Sequence, residues 1–247
     1  MRLSHVDDIV RVRGYRNFLS SHEPPDIQTL SSADLRLLRM LVSSITDKVI
    51  DMDTTLADAC NILWTCEPVR LELLRQLDAI GPRVSREVKL LPNRAEVPLQ
   101  LHARYTRIEI LSAFDQCPNI KAPPWQSGAY KAQTANADLL TFTLEQKAGQ
   151  FLPESFYRNY AIRRDLVHWE SQTTTRSASK TGMRYQQHAQ LGSEVMLFAR
   201  VRADDRAFWF LGSAEYVGHK SEMPMAITWR LHFAMSQSLF VSLAATK

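Results

Sequence analysis

No stretch of the sequence approaches the roughly 18 consecutive apolar residues that a helical membrane span requires, so no membrane association is expected. The opening residues, MRLSHVDDIVRVRGY, carry acidic side chains where a secretion signal needs an apolar run, which points to a cytoplasmic protein. Cysteine is scarce. Cys60, Cys66 and Cys117 are the three present, an odd number that cannot all pair, and none stands in a CxxC or beside a histidine at zinc spacing. They read as small core hydrophobes in a reducing compartment, and no metal or other cofactor is expected. Glycine is equally uninformative. Gly182, Gly192, Gly212 and Gly218 are scattered, nothing matches GxxxxGK[ST], and ATP hydrolysis by a phosphate-cradling loop is excluded. There is no GxSxG elbow for an esterase-type serine.

What is present is the composition of a globular chain. In 247 residues, 45% are hydrophobic, enough to bury one large core or two modest ones. The net charge of +4 is unevenly spread. Residues 1–116 hold 15 Lys+Arg against 16 Asp+Glu, a balance of −1, and residues 117–247 hold 15 against 10, a balance of +5. A basic excess confined to one half is compatible with phosphate binding and also common on ordinary surfaces.

The first half reads as helices. Residues 8–21 alternate apolar and basic side chains at helical spacing, and Ser31-Ser32-Ala33-Asp34 resembles a capping box opening LRLLRMLVSSI. Residues 54–64 and 68–80 repeat the pattern, with Pro68 at a tolerated first position and Gly81-Pro82 as a stop. Residues 106–114 form a further segment, with Thr106 and Glu109 at capping-box spacing. Residues 116–128, QCPNIKAPPWQSG, carry three prolines and no hydrophobic period, and a boundary is placed there, giving domains 1–116 and 117–247. Beyond it the pattern changes to short strands at 138–144, 166–173, 194–202, 208–218 and 225–232, with helices at 183–191 and 236–245. The expected class is α+β: a helical domain, then a curved β-sheet or partly closed β-barrel with flanking helices.

Residues 157–185, YRNYAIRRDLVHWESQTTTRSASKTGMRY, combine aromatics, basic residues and small hydroxyls. Aromatic faces stack bases, while Arg, Lys and hydroxyl groups meet phosphate oxygens. On a strand through HWESQTTT, His168, Glu170, Gln172 and Thr174 share one face, and Trp169, Ser171 and Thr173 the other. Two readings stay open on composition. One is a sheet-core tryptophan with a polar outer face and a solvated loop at 173–183. The other is a base pocket with a mobile basic loop beside it. A nuclease is a third possibility, because Asp138 followed by Glu170-x-Gln172 echoes a metal-binding Asp and Glu-x-Lys layout, with Gln where lysine usually stands.

The segments LHARYTRIEILSAF (101–114), PPWQSGAY (123–130), ADLLTFTLEQ (137–146), YRNYAIRRDLVHWESQTTT (157–175), TGMRYQQHAQLGSEVMLFAR (181–200) and FLGSAEYVGHKSEMPMAITWRL (210–231) together resemble the domain of unknown function 3427. That domain forms the C-terminal part of bacterial DEAD/DEAH-type helicases, often behind a phospholipase-D-type nuclease module. The resemblance implies a modification-dependent restriction system. Its reader, similar to SRA and PUA-like barrels, flips a methylated cytosine out of DNA, and the helical half couples the reader to a motor. The sequence itself contains no nuclease or helicase motor, so binding rather than catalysis is expected. The effector would act in trans or belong to a parent chain.

In that reading Tyr157, Tyr160 and Trp169 stack the base, His168, Glu170, Ser171 and Gln172 read its edge, and Arg158, Arg176, Lys180 and Arg184 meet the DNA backbone. Trp229 and Arg230 are as well placed for core and rim as for contact. An interaction module for RNA or protein is the remaining alternative.

Overall fold

The computed structural model describes residues 3–46, 50–51, 53–85, 87–117, 119–145 and 159–244. The chain divides into two compact units, Met1–Pro124 and Trp125–Lys247. The division lies inside the proline-bearing segment 116–128, with Trp125 rather than Cys117 opening the second unit. No helix among the described residues is long and apolar enough to cross a membrane.

In the first unit, helices α1 (Ile9–Ser20), α2 (Ser32–Thr46), α3 (Leu56–Thr65) and α4 (Glu67–Ile80) are followed by a 3₁₀ turn (Gly81–Arg83), a short strand β1 (Arg104–Thr106) and α5 (Arg107–Ala113). Local chemistry explains the starts. Asp8 accepts from the Arg11 N–H, Ser31 Oγ from the Asp34 N–H, and Thr55/Asp58 and Thr106/Glu109 form reciprocal capping boxes. The carbonyls that α1 leaves at its end are met by Arg70, which donates to Leu19 O (3.0 Å) and Ser21 O (2.6 Å), and by Trp64 Nε1, which donates to Ser21 O (3.2 Å). Helix α2 packs on α5, α1 and α3.

Below α1 lies a buried ionic cluster. Arg11 is fully buried, pairs with Asp8, donates to Glu109 Oε1 (2.8 Å) and to the Arg104 carbonyl (2.6 Å), and lies 4.0 Å above the Tyr105 ring. Glu109 also receives Thr106 N–H (2.8 Å) and His5 Nε2 (2.6 Å). Burial alone would raise the Glu109 pKa, but His5 and Arg11 outweigh it and hold the carboxyl well below the usual carboxylate range. Burial pushes the Cys60 thiol up to about 12 and the Cys117 thiol up to about 11, which leaves both as inert core groups.

Among the described residues the second unit is an open sheet with two helices. Its strands are β2 (Ala129–Ala132), β3 (Ala137–Glu145), β4 (Tyr160–Arg163), β5 (Leu166–Glu170), β6 (Glu194–Arg202), β7 (Ala207–Lys220) and β8 (Ala226–Leu231), in the order β2-β3-β6-β7-β8-β5-β4. Only the β3–β6 pair in this path is parallel. Register shifts at Leu197/Phe198, Tyr216/Gly218 and Ala161/Arg163 mark bulges, which add local twist and bend. Helices α6 (Lys180–Gln186) and α7 (Gln237–Leu243) complete the unit. Tyr185 of α6 and Leu239 and Leu243 of α7 join a core with Val167, Trp169, Ile227 and Trp229.

The α+β class is observed, in its open-sheet form. Several element bounds differ from expectation. Helix α6 starts at Lys180 rather than 183, because Ser179 Oγ accepts the Gly182 N–H (3.1 Å) and sets the first turn earlier. Strand β5 ends at Glu170 rather than 173, because Ser171 Oγ takes the Met225 N–H (2.9 Å) and closes the ladder. Strands β2 and β4 carry no signal in the sequence: four residues each, AYKA and YAIR, are too short to show a period of two.

Candidate nucleic-acid interface

Alternation along β5 and β8 builds two faces. Val167, Trp169, Ile227, Trp229 and Leu231 turn inward, and His168, Glu170, Ala226, Thr228 and Arg230 turn outward. Pairing then sets Tyr160 (β4) opposite His168 (β5), His168 opposite Thr228 (β8), and Thr228 opposite Gly218 (β7). In the next row Glu170 faces Ala226 and Ala226 faces Lys220. Thus four strands contribute to one half-exposed strip.

Its centre is a ring pair. Tyr160 and His168 stack with centroids 4.9 Å apart and planes inclined by 25°. His168 Nε2 lies 3.8 Å from Glu170 Oε1. Burial lowers the His168 pKa, Glu170 acts against that, and Lys220 adds to the lowering. A neutral imidazole has one donor and one acceptor, and Glu170 offers acceptors. At Gly218 a side chain would enter open space, so the strip ends on bare backbone there. Glu170 is itself fixed from behind, its N–H donating to Asn159 Oδ1 (2.9 Å).

The inner face holds the larger aromatics. Trp169 is only 2% exposed and meets Tyr185 edge-on at 5.6 Å, and Trp229, fully buried, contacts Tyr185, Tyr216 and His188 at 6.2, 6.0 and 5.9 Å. Trp169 is therefore a core residue and not the expected stacking wall, because the polarity of its strand faces the other way. His188 belongs to the same core: Nδ1 lies 3.3 Å from the Ser193 carbonyl, and Nε2 accepts the Tyr216 N–H (3.2 Å).

The remaining expected site residues separate clearly. Ser171 is buried, and its hydroxyl joins β8 to the chain after β5, a structural bond rather than a contact to a base. Gln172 is half-buried in the turn that follows. Arg176 and Lys180 are exposed. Arg184, expected at phosphates, is engaged by Asp138, with Nε to Oδ2 at 2.7 Å and Nη2 to Oδ1 at 2.8 Å. That pair also removes Asp138 as a metal ligand: it is 1% exposed and both its oxygens face a guanidinium. Among the described residues no three His, Cys, Asp or Glu side chains gather in a way that could hold a metal. Tyr157 and Arg158 lie outside the described residues.

The segment 173–183, expected to be mobile, is tied down. Thr175 is buried, Ser177 N donates to Glu222 (2.7 Å), Gln186 Nε2 donates to Ser177 O (2.8 Å), and a Cβ on Gly182 would collide with the Arg176 carbonyl. Ser179 serves there as turn and cap partner, its hydroxyl donating to Arg176 O (2.7 Å) and accepting the Gly182 N–H, a role that composition does not distinguish from solvated loop. Thr228, Lys220 and Gly218 join the strip from outside the segment 157–185. The alternation in AITWRL carried the signal for Thr228, once Trp229 is taken as core.

Residues 99–243, more than half of the chain, match the sequence profile described as Domain of unknown function (DUF3427). The chain belongs to the DUF3427 family. No curated protein matches it. Solved structures similar in part to this DUF3427 chain include the following two. Arabidopsis thaliana SUVH6, in complex with SAM, is 10% identical with a TM-score of 0.36, the match covering 91% of this chain and 40% of that one. The 5-hydroxymethylcytosine-specific restriction enzyme AbaSI is 11% identical with a TM-score of 0.32, the match covering 72% of this chain and 55% of that one. The DUF3427 chain thus spans about half or less of each protein's length, and at such TM-scores neither likeness decides its fold or its chemistry. The DUF3427 profile covers the whole strip, from β4 through β8, together with β1 and α5 of the first unit.

Proposed function

We propose that the second unit binds DNA and reads a modified, methylated cytosine that is turned out of the duplex, serving as the target-recognition part of a restriction or defence system. The observation that carries this reading is the Tyr160–His168 stack, half-buried on a strip bordered by Glu170, Thr228 and Lys220. An extruded base needs a π-surface and polar groups for its edge. The stacked pair supplies the first. Glu170 accepts from an exocyclic amino group, and His168 and Thr228 offer further donors and acceptors. Lys220, Arg176 and Lys180 provide cations for phosphates, and the basic balance of this half agrees with them. The unit acts by binding. Cleavage and translocation fall to a helicase or nuclease effector, in trans or in a parent chain. The Asp138/Glu170 nuclease has no support in the geometry, since Arg184 occupies the Asp138 carboxylate.

The test is a gel-shift comparison of matched unmodified, methylated and hydroxymethylated duplexes. Wild-type protein should prefer a modified duplex, and Tyr160→Ala and His168→Ala should abolish the preference while keeping weak, salt-sensitive binding. Loss of one stacked ring is worth roughly 1–3 kcal/mol per base. Equal affinity of the wild type for all three duplexes would exclude the reader. Preference for RNA, or no nucleic-acid binding at all, would reassign the strip to the interaction-module class.

A further inference from the structure

The tip of the β7–β8 hairpin, residues 220–225, has unusual backbone. Ser221 and Met223 have φ of 56° and 54°, a left-handed conformation that glycine adopts freely and a residue with a long side chain adopts against steric resistance. Burial does not explain why a methionine stands there, since Met223 is 46% exposed. The tip is nevertheless fixed. Met223 N donates to Thr175 O (3.3 Å), Ser221 Oγ donates to Pro224 O (3.0 Å), and Met225 N donates to Ser171 Oγ (2.9 Å). Cations surround it: Arg176 Nε is 3.1 Å from the Met223 sulfur, and Lys220 begins the tip. The acidic residue of the tip, Glu222, is turned aside to the Ser177 N–H (2.7 Å) and His219 (3.7 Å).

We propose that Met223 is an apolar wedge that enters a base step of the bound duplex beside the extruded cytosine, with Arg176 and Lys220 on the flanking phosphates. This rests on the reading of the strip as a DNA reader. Turning a base out of the stack leaves an apolar gap, and proteins that unstack a step commonly fill it with an aliphatic side chain. An unbranched, polarizable methionine suits an irregular gap. Strained backbone in an exposed position, held by its surroundings, is characteristic of ligand clamps. The same hairpin carries Lys220 and Thr228, so wedge and strip belong to one rigid element.

The test compares full-length Met223→Gly and Met223→Leu with wild type, on a duplex carrying one modified cytosine and a neighbouring 2-aminopurine. Glycine suits φ of +54°, so Met223→Gly should melt at the wild-type temperature or above it. Its 2-aminopurine brightening should fall to roughly half or less, because an unfilled step restacks. Its affinity for the modified duplex should fall about tenfold. Met223→Leu, which keeps an apolar wedge, should recover most of both. A folded Met223→Gly that brightens and binds like wild type overturns the wedge and leaves the reader standing. A Met223→Gly that loses thermal stability together with binding assigns Met223 to the hairpin's own structure, which also overturns the wedge. A wild type that does not distinguish modified from plain duplex overturns the reader itself.

Discussion

The two units bury charge to different degrees. In the first, Arg11, Asp8 and Glu109 are buried together and complete one another's hydrogen bonds. In the second, the buried Asp138 is met by the half-buried Arg184 beside an aromatic core, and Lys180, Lys220 and Arg230 lie at the surface. Inward charge is a structural device, costly when broken, and outward charge is available to a ligand. A charged residue in this chain therefore discloses its role by its partner, not by its type. Arg184 and Lys180, four positions apart, fall on opposite sides of that line.

The largest effect expected from this contrast is at Arg11. Arg11→Ala leaves Asp8 buried without its cation and Glu109 with His5 alone as cation, and should destabilise the first unit by about 3–5 kcal/mol in urea or thermal unfolding. A loss below about 1 kcal/mol would mean that the cluster is hydrated and the contrast false. In the second unit the corresponding test is aromatic. Trp229→Ala should cost about 3–5 kcal/mol by leaving a cavity among Tyr185, Tyr216 and His188. Tyr160→Ala, on the outer strip, should barely move the melt while it changes binding, and equal destabilisation by the two would erase the distinction between core and platform rings.

Acid titration sharpens the comparison further. Glu109 is ionised to unusually low pH in the folded protein because His5 and Arg11 overcome its burial. Its contribution is therefore complete above the unfolded carboxyl value of about 4.3 and is lost as pH falls toward the depressed folded value. Stability followed by tryptophan fluorescence should weaken below about pH 4, and Glu109→Gln should flatten that dependence. The smallest effects separate the two basic residues of α6. Arg184→Ala, which strands the buried Asp138, should cost about 1–3 kcal/mol of stability. Lys180→Ala should change stability by less than about 0.5 kcal/mol and lower affinity for modified and plain duplexes alike. A Lys180→Ala protein that melts like Arg184→Ala would place that lysine among the structural charges.

The helices of the first unit were legible because capping boxes, proline positions and apolar spacing act within one turn of chain. Ser31/Asp34, Thr106/Glu109 and Pro68 each stand at a helix start. Strands β6 and β7 were legible for the same local reason, long runs of β-forming side chains. Strands of four residues such as β2 and β4 carry no such period, and their pairing depends on distant neighbours.

For the site, the sequence by itself determined that aromatic, basic and hydroxyl residues are concentrated in 157–185, and that His168 and Glu170 share a face opposite Trp169. Only the tertiary structure decided which face is covered. The core formed with Tyr185 and Trp229 takes Trp169 inward, and the same choice turns His168 outward to Tyr160 and Thr228. Neither the Arg184–Asp138 pair, 46 positions apart, nor the φ of Met223 is written in local pattern. Both arise from register and packing, where a shift of one residue would exchange the two faces of the sheet.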